Sequence, residues 1–390
     1  MSYQEEHILF IHDLKLQGLD WDVIKDKYNK KFSDDKSCSA LSVAYSRYGY
    51  YVSDKNQINV IKTNVRLTAR NREVAKNLNN IAEKHLLLDD ILIAVNDIVD
   101  KIKPRTVKHN EKKVNNKHSM SIELLLSDLH FGKKTATFNL EVARARLVEL
   151  ADVLIKEIEN ESKIFNVENV IIALMGDIIE SYTMHGLESA VGCEFGNSEQ
   201  ITYSTISLFE DILSPVFAYA ASKGINVKVV GVTGNHDRTQ EHKSFSHAAK
   251  NNVTWIIYNI LMLLSNKSGY NNVVWDISEV NYSVVELYGN TIVYEHGDMI
   301  KSNNPKSILT HIANRSVQLK KNIDFFRMGH YHESNSYMDG KIVTNGSLCG
   351  QDGYADTLGF NSKASQAISY YIDSKGRRET NFYKYFPVYL

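Results

Sequence analysis

The spacing of apolar residues changes twice along the chain of 390 residues and so marks out its parts. Between Glu5 and Gly49 apolar positions recur at helical spacing in three runs, HILFIHDLKLQ, LDWDVIKDKYNKKF and KSCSALSVAYSRYG, which predict three short helices. Gly18 ends the first, and Asp20 is placed to cap the second through its side-chain oxygen. Residues 61 to about 100 read as one long helix. Within it Val74, Leu78, Ile81, His85, Leu88, Leu92 and Val95 alternate four and three residues apart, the seam of a short coiled coil. That spacing suits a homodimer contact and equally an amphipathic helix laid against the next domain.

Near Ser121 the pattern changes to continuous apolar runs: IELLLSDLH, VENVIIALMGD and INVKVVGVTGNHD. Helical stretches from Leu140 to Glu159 and from Gln200 to Lys223 separate them. Runs this apolar suit strands covered on both faces, and helical crossovers imply parallel pairing. Each run ends in a polar cluster, at the carboxyl ends of the strands, where α/β sheets place their chemistry. The later segments NYSVVELY, NTIVYEHGD, DFFRMGHYHE and GKIVTNGS have strand composition and short turn-rich connections, which predict a second, more antiparallel sheet. The organisation expected is a small helical domain over 1–52, a long helix and basic linker over 53–118, and a catalytic α/β domain over 119–390.

Charge sharpens that division. The formal net charge is −1, yet residues 1–118 hold 21 Lys/Arg against 16 Asp/Glu, and the remainder 24 against 30. Between Lys101 and Ser119 the basic residues Lys101, Lys103, Arg105, Lys108, Lys112, Lys113 and Lys117 face the single acid Glu111. This stretch reads as a flexible linker, or as a strip that touches phosphates electrostatically. Cys38, Cys193 and Cys349 are odd in number and in no CxxC pair, which argues against a disulfide framework or a structural zinc and fits a reducing compartment. The start MSYQEEHILFIHDL is acidic where a signal peptide is basic, and no apolar run approaches the ~20 residues of a membrane span. A cytoplasmic protein without a membrane partner is expected.

Taken singly, the polar clusters are ambiguous. Asp128 and His130 in SDLHFG, two apart on an extended segment, can face one side or form a loop hydrogen bond. Asp177 in MGDIIE can cap a helix, Asn235 and His236 in TGNHDR can make an ordinary turn, and His296 in YEHGD can be a satisfied strand-end histidine. His330 and His332 in GHYHE are expected on one side of a strand. Their common position at strand ends changes the balance. Together Asp128, His130, Asp177, Asn235, His296, His330 and His332 offer imidazole, carboxylate and amide donors without a thiolate, a set for manganese, iron or zinc.

The ordered motifs SDLH, GD, GNHD, HG and GHYH, within roughly Ser121 to Ser347, resemble the calcineurin-like metallophosphoesterase family. The resemblance implies two packed mixed sheets flanked by helices. It implies that Asp128, His130 and His332 hold one divalent ion, that Asn235, His296 and His330 hold a second, and that Asp177 bridges them. Two such cations, about 3.5–4 Å apart, activate water for attack on phosphorus. His236 is then the implied proton donor to the leaving oxygen. Asp237 either orients that imidazole or caps the turn, and Arg238 either contacts a substrate phosphate or forms a salt bridge.

The substrate is a separate question. GDIIES and GNHD depart from the GDxxDRG and GNHE of the serine/threonine phosphatases, while GNHD and GHYH are closer to the SbcD-type repair nucleases. The N-terminal triplet resembles helix-turn-helix modules of the Myb or homeodomain type, with Trp21 as core tryptophan and Ser37 to Tyr48 as recognition helix. A protein-binding helical module fits the triplet as well. Residues 185–204 are expected to line the cleft, and the segment TNGSLCGQDGYADTLGF to form a loop near the same edge or a surface decoration. The overall architecture resembles metallophosphoesterases carried by bacterial viruses and mobile elements. The reading is a DNA nuclease or DNA-end-processing enzyme. Its alternatives are a small-molecule phosphodiesterase or phosphatase, and a DNA-binding regulator with a vestigial catalytic domain.

Overall fold

The three amphipathic runs fold as α1 (Glu5–Leu16), α2 (Trp21–Phe32) and α3 (Cys38–Tyr48) in a computed structural model that describes residues 5–48, 89–102, 107–110, 118–180, 193–239, 249–350, 363–373 and 381–390. The chain divides into two units, Met1–Leu87 and Leu88–Leu390. In the first, Ile8, Ile11, Ile24, Tyr28, Leu41 and Ala44 form the core. Trp21 is half-buried at its edge, so the core aromatic is Tyr28, whose hydroxyl lies 2.6 Å from His7 Nδ1. Asp20 occupies the N-cap position, but its side chain makes no capping bond. The turn is closed by its main chain, which accepts from Ile24 N–H at 3.0 Å.

Residues 89–101 form α4 in the second unit. The seam positions Val74 to Leu88 lie outside the described residues. Within α4 the buried positions are Ala94 and Ile98, while Leu92 is exposed, so this stretch turns a face other than the expected seam inward.

The continuous apolar runs become β1 (Ser119–Leu126), β2 (Asn166–Met175) and β3 (Asn226–Val232), parallel to one another and to β4 (Val273–Ile277). On the other side of β1, β10 (Ser365–Ile372) and β11 (Asn381–Tyr389) add antiparallel, completing a six-stranded mixed sheet. One face is covered by α5 (Leu140–Ser162), α6 (Asn197–Ser207), α7 (Ser214–Lys223) and α8 (Val253–Lys267), with α6 and α7 joined by a π-helical turn, Leu208–Leu213. Helix α5 begins where Asn139 accepts from Val142 N–H, and it buries Leu147, Leu150, Leu154 and Ile158 along one stripe. Each such side chain contributes on the order of 1.5–3 kcal/mol by leaving water.

The other face packs on a five-stranded sheet of β5 (Tyr282–Leu287), β6 (Asn290–Glu295), β7 (Phe325–Met328), β8 (Asn335–Tyr337) and β9 (Ile342–Thr344). Leu125, Ala173 and Val230 of the first sheet meet Ile292, Tyr294 and Val343 of the second in a shared core. This is the expected architecture of two packed mixed sheets flanked by helices, preceded along the chain by a small all-α unit. The second sheet is less antiparallel than its composition suggested. Strands β6 and β7 run parallel because α9 (Pro305–Leu319), capped by Asn304, carries the chain back between them; β7 and β9 are parallel too.

Candidate metal centre

Strands β1, β2, β3, β6 and β7 all end at one rim, and each releases a candidate ligand within a few residues. None of these ligands lies on a strand. Asp128, His130, Asp177, His330 and His332 have φ between 49° and 72°, the left-handed region that residues with a Cβ enter at a cost of about 1–3 kcal/mol. The expected two-apart alternation along an extended segment therefore does not apply to Asp128 and His130 or to His330 and His332. Left-handed turns bring them in instead. His332 joins Asp128 and His130, while His330 joins Asp177 and His296; in each trio the ligand atoms lie within 4.8 Å of one another.

Main-chain bonds hold these turns together. Asp177 O accepts from the N–H of Leu129 at 2.9 Å and of His130 at 3.1 Å, tying the loop after β1 to the loop after β2. Asp177 Oδ1 accepts from His236 N–H at 2.8 Å, and both oxygens of Asp128 accept from His330 N–H at 3.1 and 3.0 Å. Such approaches exclude side chains. A Cβ on Gly234 would fall onto Asp177 Oδ1, and one on Gly329 would sit 2.5 Å from Asp128 Oδ2. The motif glycines are the space in which the carboxylates lie.

In the first trio His130 Nε2 is 3.0 Å from His332 Nε2, which lies 3.4 Å from Asp128 Oδ1. In the second, His296 Nε2 is 3.1 Å from Asp177 Oδ2 and 3.0 Å from Asn235 Oδ1, while its Nδ1 donates to Met175 O at 2.9 Å. Asn235 thus joins the second trio.

Charge follows geometry. Burial pushes Asp128 up, but His332 and then His296 outweigh it and hold the carboxyl below its usual range. Burial opposes ionisation of Asp177 too, and His296 and His236 hold it well below. Burial drives His130 and His330 down to about 4, so both rings keep a lone pair at neutral pH. Against its own burial, His296 is pushed up to about 10, chiefly by the Asp177 charge. Anionic carboxylates and the neutral rings of His130 and His330 are the state in which divalent ions bind, and His296 and His332, raised by Asp177 and Asp128, mark where those carboxylates call for positive charge. The donor set and its convergence fit a pair of such ions.

The three residues after Asn235 divide. His236 lies beside both trios: its Nδ1 is 2.6 Å from Glu180 O, and its Nε2 is 3.9 Å from Asp177 Oδ2. Asp237, fully buried, accepts from the N–H of Asp177 at 2.9 Å and of Ile179 at 3.0 Å, so it shapes the turn, and the contact that orients His236 comes from Glu180. Burial and then the Asp177 charge push Asp237 up to about 7. Arg238 is ion-paired with Asp298, the salt-bridge alternative to a substrate contact.

Two residues at the site gave no separate signal in sequence. Glu180 Oε2 lies 2.8 Å from His130 Nδ1, and Lys133 Nζ is 3.6 Å from Glu180 Oε1. Glu180 stands three residues beyond Asp177 in GDIIE, which was the available clue. Of the segments expected at the cleft edge, residues 185–192 and 351–360 lie outside the described residues. Residues 193–204 enter α6, and 344–350 are buried.

No protein-family model matches the chain. It is 22% identical over 406 residues to the SPbeta prophage-derived uncharacterized protein YonJ of Bacillus subtilis (strain 168), spanning 96% of this chain and 95% of that one. Among solved structures it is similar to an archaeal phosphodiesterase (15% identity, TM-score 0.31, 69% of this chain and 99% of that chain). It is also similar to a predicted phosphoesterase from Streptococcus pneumoniae TIGR4 (13%, 0.28, 69% and 98%) and to zinc-complexed Vps29 from Entamoeba histolytica (13%, 0.27, 69% and 98%). Scores this low carry no information about reaction or substrate, so the chemistry rests on the side chains at the rim.

Proposed function

We propose that this protein is a metal-dependent phosphoesterase of the calcineurin-like type that hydrolyses a phosphodiester, with DNA as its substrate. The observation that carries the reading is the convergence of seven donors from five strand ends into two adjoining trios, the second joined by Asn235 and tied to the first through the main chain of Asp177. Asp128, His130 and His332 would hold one ion, Asn235, His296 and His330 the other, and Asp177 would lie between. Bound there, two divalent ions, manganese first among manganese, iron and zinc, neutralise phosphoryl oxygens and acidify water.

The chain's own groups supply the remainder. A carbonyl oxygen only accepts, so Glu180 O requires a hydrogen on His236 Nδ1, and the proton passed to the leaving oxygen is the second one of the doubly protonated ring, carried on Nε2. Arg238, engaged by Asp298, takes no part in this account.

DNA is supported by the three-helix module and by the basic residues that follow it. A small phosphodiester is the second reading, and one observation favours it. Described residues 5–48 carry 7 Lys/Arg against 8 Asp/Glu, and α3 has Arg47 alone as a basic side chain, a thin electrostatic footing for a recognition helix. The test is the full-length chain, stripped with chelator and reloaded with Mn²⁺, assayed on single- and double-stranded DNA beside bis(p-nitrophenyl) phosphate. Cleavage of DNA supports the proposal. Turnover of the small ester alone removes DNA, and no turnover of any ester removes the phosphoesterase.

A further inference from the structure

Glu180 is 7% exposed, and its two ends address two different imidazoles. Its carboxylate Oε2 lies 2.8 Å from His130 Nδ1, an ion-pair contact outside hydrogen-bond geometry, and its main-chain oxygen is hydrogen-bonded to His236 Nδ1 at 2.6 Å. Lys133 Nζ, 3.6 Å from Oε1, favours the ionised carboxylate. Both ends are therefore acceptors with no proton to give. An imidazole nitrogen facing such an acceptor carries the hydrogen, and the other nitrogen of a neutral ring then keeps its lone pair.

In both rings the nitrogen turned away from Glu180 is Nε2. His130 Nε2 faces His332 Nε2 at 3.0 Å, and His236 Nε2 faces Asp177 Oδ2 at 3.9 Å. The two rings also meet edge to face, with centroids 4.7 Å apart, so neither turns without disturbing the other.

We propose that Glu180 is a positioning residue that sets the tautomer of both rings, presenting His130 Nε2 as a metal ligand and His236 Nε2 as the proton-transfer atom. The proposal rests on the phosphoesterase reading and names a residue on which that reading depends. Its two arms are separable because only one is a side chain. Replacing the carboxylate releases His130, while the carbonyl of residue 180 still holds His236.

The experiment uses the full-length chain labelled with ¹⁵N-histidine and freed of metal, followed by titration with MnCl₂. Two-bond ¹H–¹⁵N spectra, assigned with His130→Gln and His236→Gln, are expected to show both rings protonated at Nδ1. A neutral form of either ring that carries its single hydrogen on Nε2 overturns the proposal without need of any variant at position 180. In the titration, Glu180→Leu is expected to weaken Mn²⁺ binding by about 10–100-fold, the usual cost of losing a carboxylate behind a ligating histidine. Glu180→Gln, which keeps an acceptor oxygen, should lose less, and His236 should remain Nδ1-protonated in both variants. Equal Mn²⁺ affinity in Glu180→Leu and wild type overturns the His130 arm; a changed His236 tautomer overturns the main-chain arm. Wild-type protein that binds no Mn²⁺ overturns the metal reading itself, a result distinct from the other three.

Discussion

Arg327 Nε lies 2.7 Å from Glu123 Oε2, and both side chains are completely buried between the two sheets. Taking two charges out of water costs several kcal/mol per ion unless the remaining donors and acceptors are satisfied. Here they are. Arg327 Nη1 donates to the carbonyls of Phe326, Gly340 and Lys341 at 3.2, 3.1 and 3.0 Å, and Nη2 to the Tyr371 hydroxyl. Glu123 accepts from Tyr294 OH at 2.6 Å and Tyr371 OH at 3.0 Å. Glu123 stands on β1, five residues before Asp128, and Arg327 on β7, three before His330. The pair thereby fixes the register between two strands that deliver ligands.

Arg327→Met should destabilise the second unit by about 3–5 kcal/mol, because it strands a buried carboxylate. Combining it with Glu123→Gln should recover part of the loss. Denaturant melts of the two single variants and the double variant check this; additive losses would mean that the two side chains are uncoupled.

Gly329→Ala should perturb the metal centre more than the fold. The new methyl group meets Asp128 Oδ2 at 2.5 Å and Ser127 Oγ at 2.6 Å, so Asp128 must move. Calorimetric Mn²⁺ titration should show at least a tenfold loss at one site, on the order of 1.4 kcal/mol, with the far-ultraviolet circular dichroism unchanged.

His236 and Asp237 should separate kinetically. His236→Ala removes the proton donor and should lower turnover by about 10²–10⁴-fold for alkoxide leaving groups. A nitrophenolate leaves without a proton, so its hydrolysis should fall far less. Asp237→Ala loosens the turn that holds Asp177 and should weaken Mn²⁺ binding and turnover alike, whatever the leaving group. Rates on a series of esters with graded leaving groups decide the matter.

Cys193 pairs across an isolated bridge with Lys133, and burial, then the Glu180 charge, push its thiol up to about 11. At pH 8 roughly one thiol in a thousand is then ionised, against about a quarter for an ordinary cysteine. In a chain carrying Cys38→Ser and Cys349→Ser, iodoacetamide should label Cys193 at least a hundredfold more slowly than it labels free cysteine. Labelling at the free rate would mean that the bridge opens.

Strand order at the rim was legible because continuous apolar runs ending in polar clusters are local features. β1, β2 and β3 and their parallel pairing follow from them. So does the presence of Asp128, His130, Asp177, Asn235, His296, His330 and His332 at strand ends. Helix α9 was passed over, although Asn304 and Pro305 mark its start, and with it the parallel pairing of β6 and β7.

Residue types and their order along the chain are properties of the sequence, and they determined which donors this protein brings to its sheet edge. Tertiary structure alone decided how those donors are shared out. His330 and His332 are two apart in sequence and belong to different trios, because left-handed turns at both positions, held by Asp128 and packed against glycines, aim them apart. Asp237 became a brace for the Asp177 turn, and Glu180 took the contact with His236, through bonds that span 56 to 60 residues. Hydrogen bonds across such separations depend on how strands pack, and no local pattern of residues encodes them.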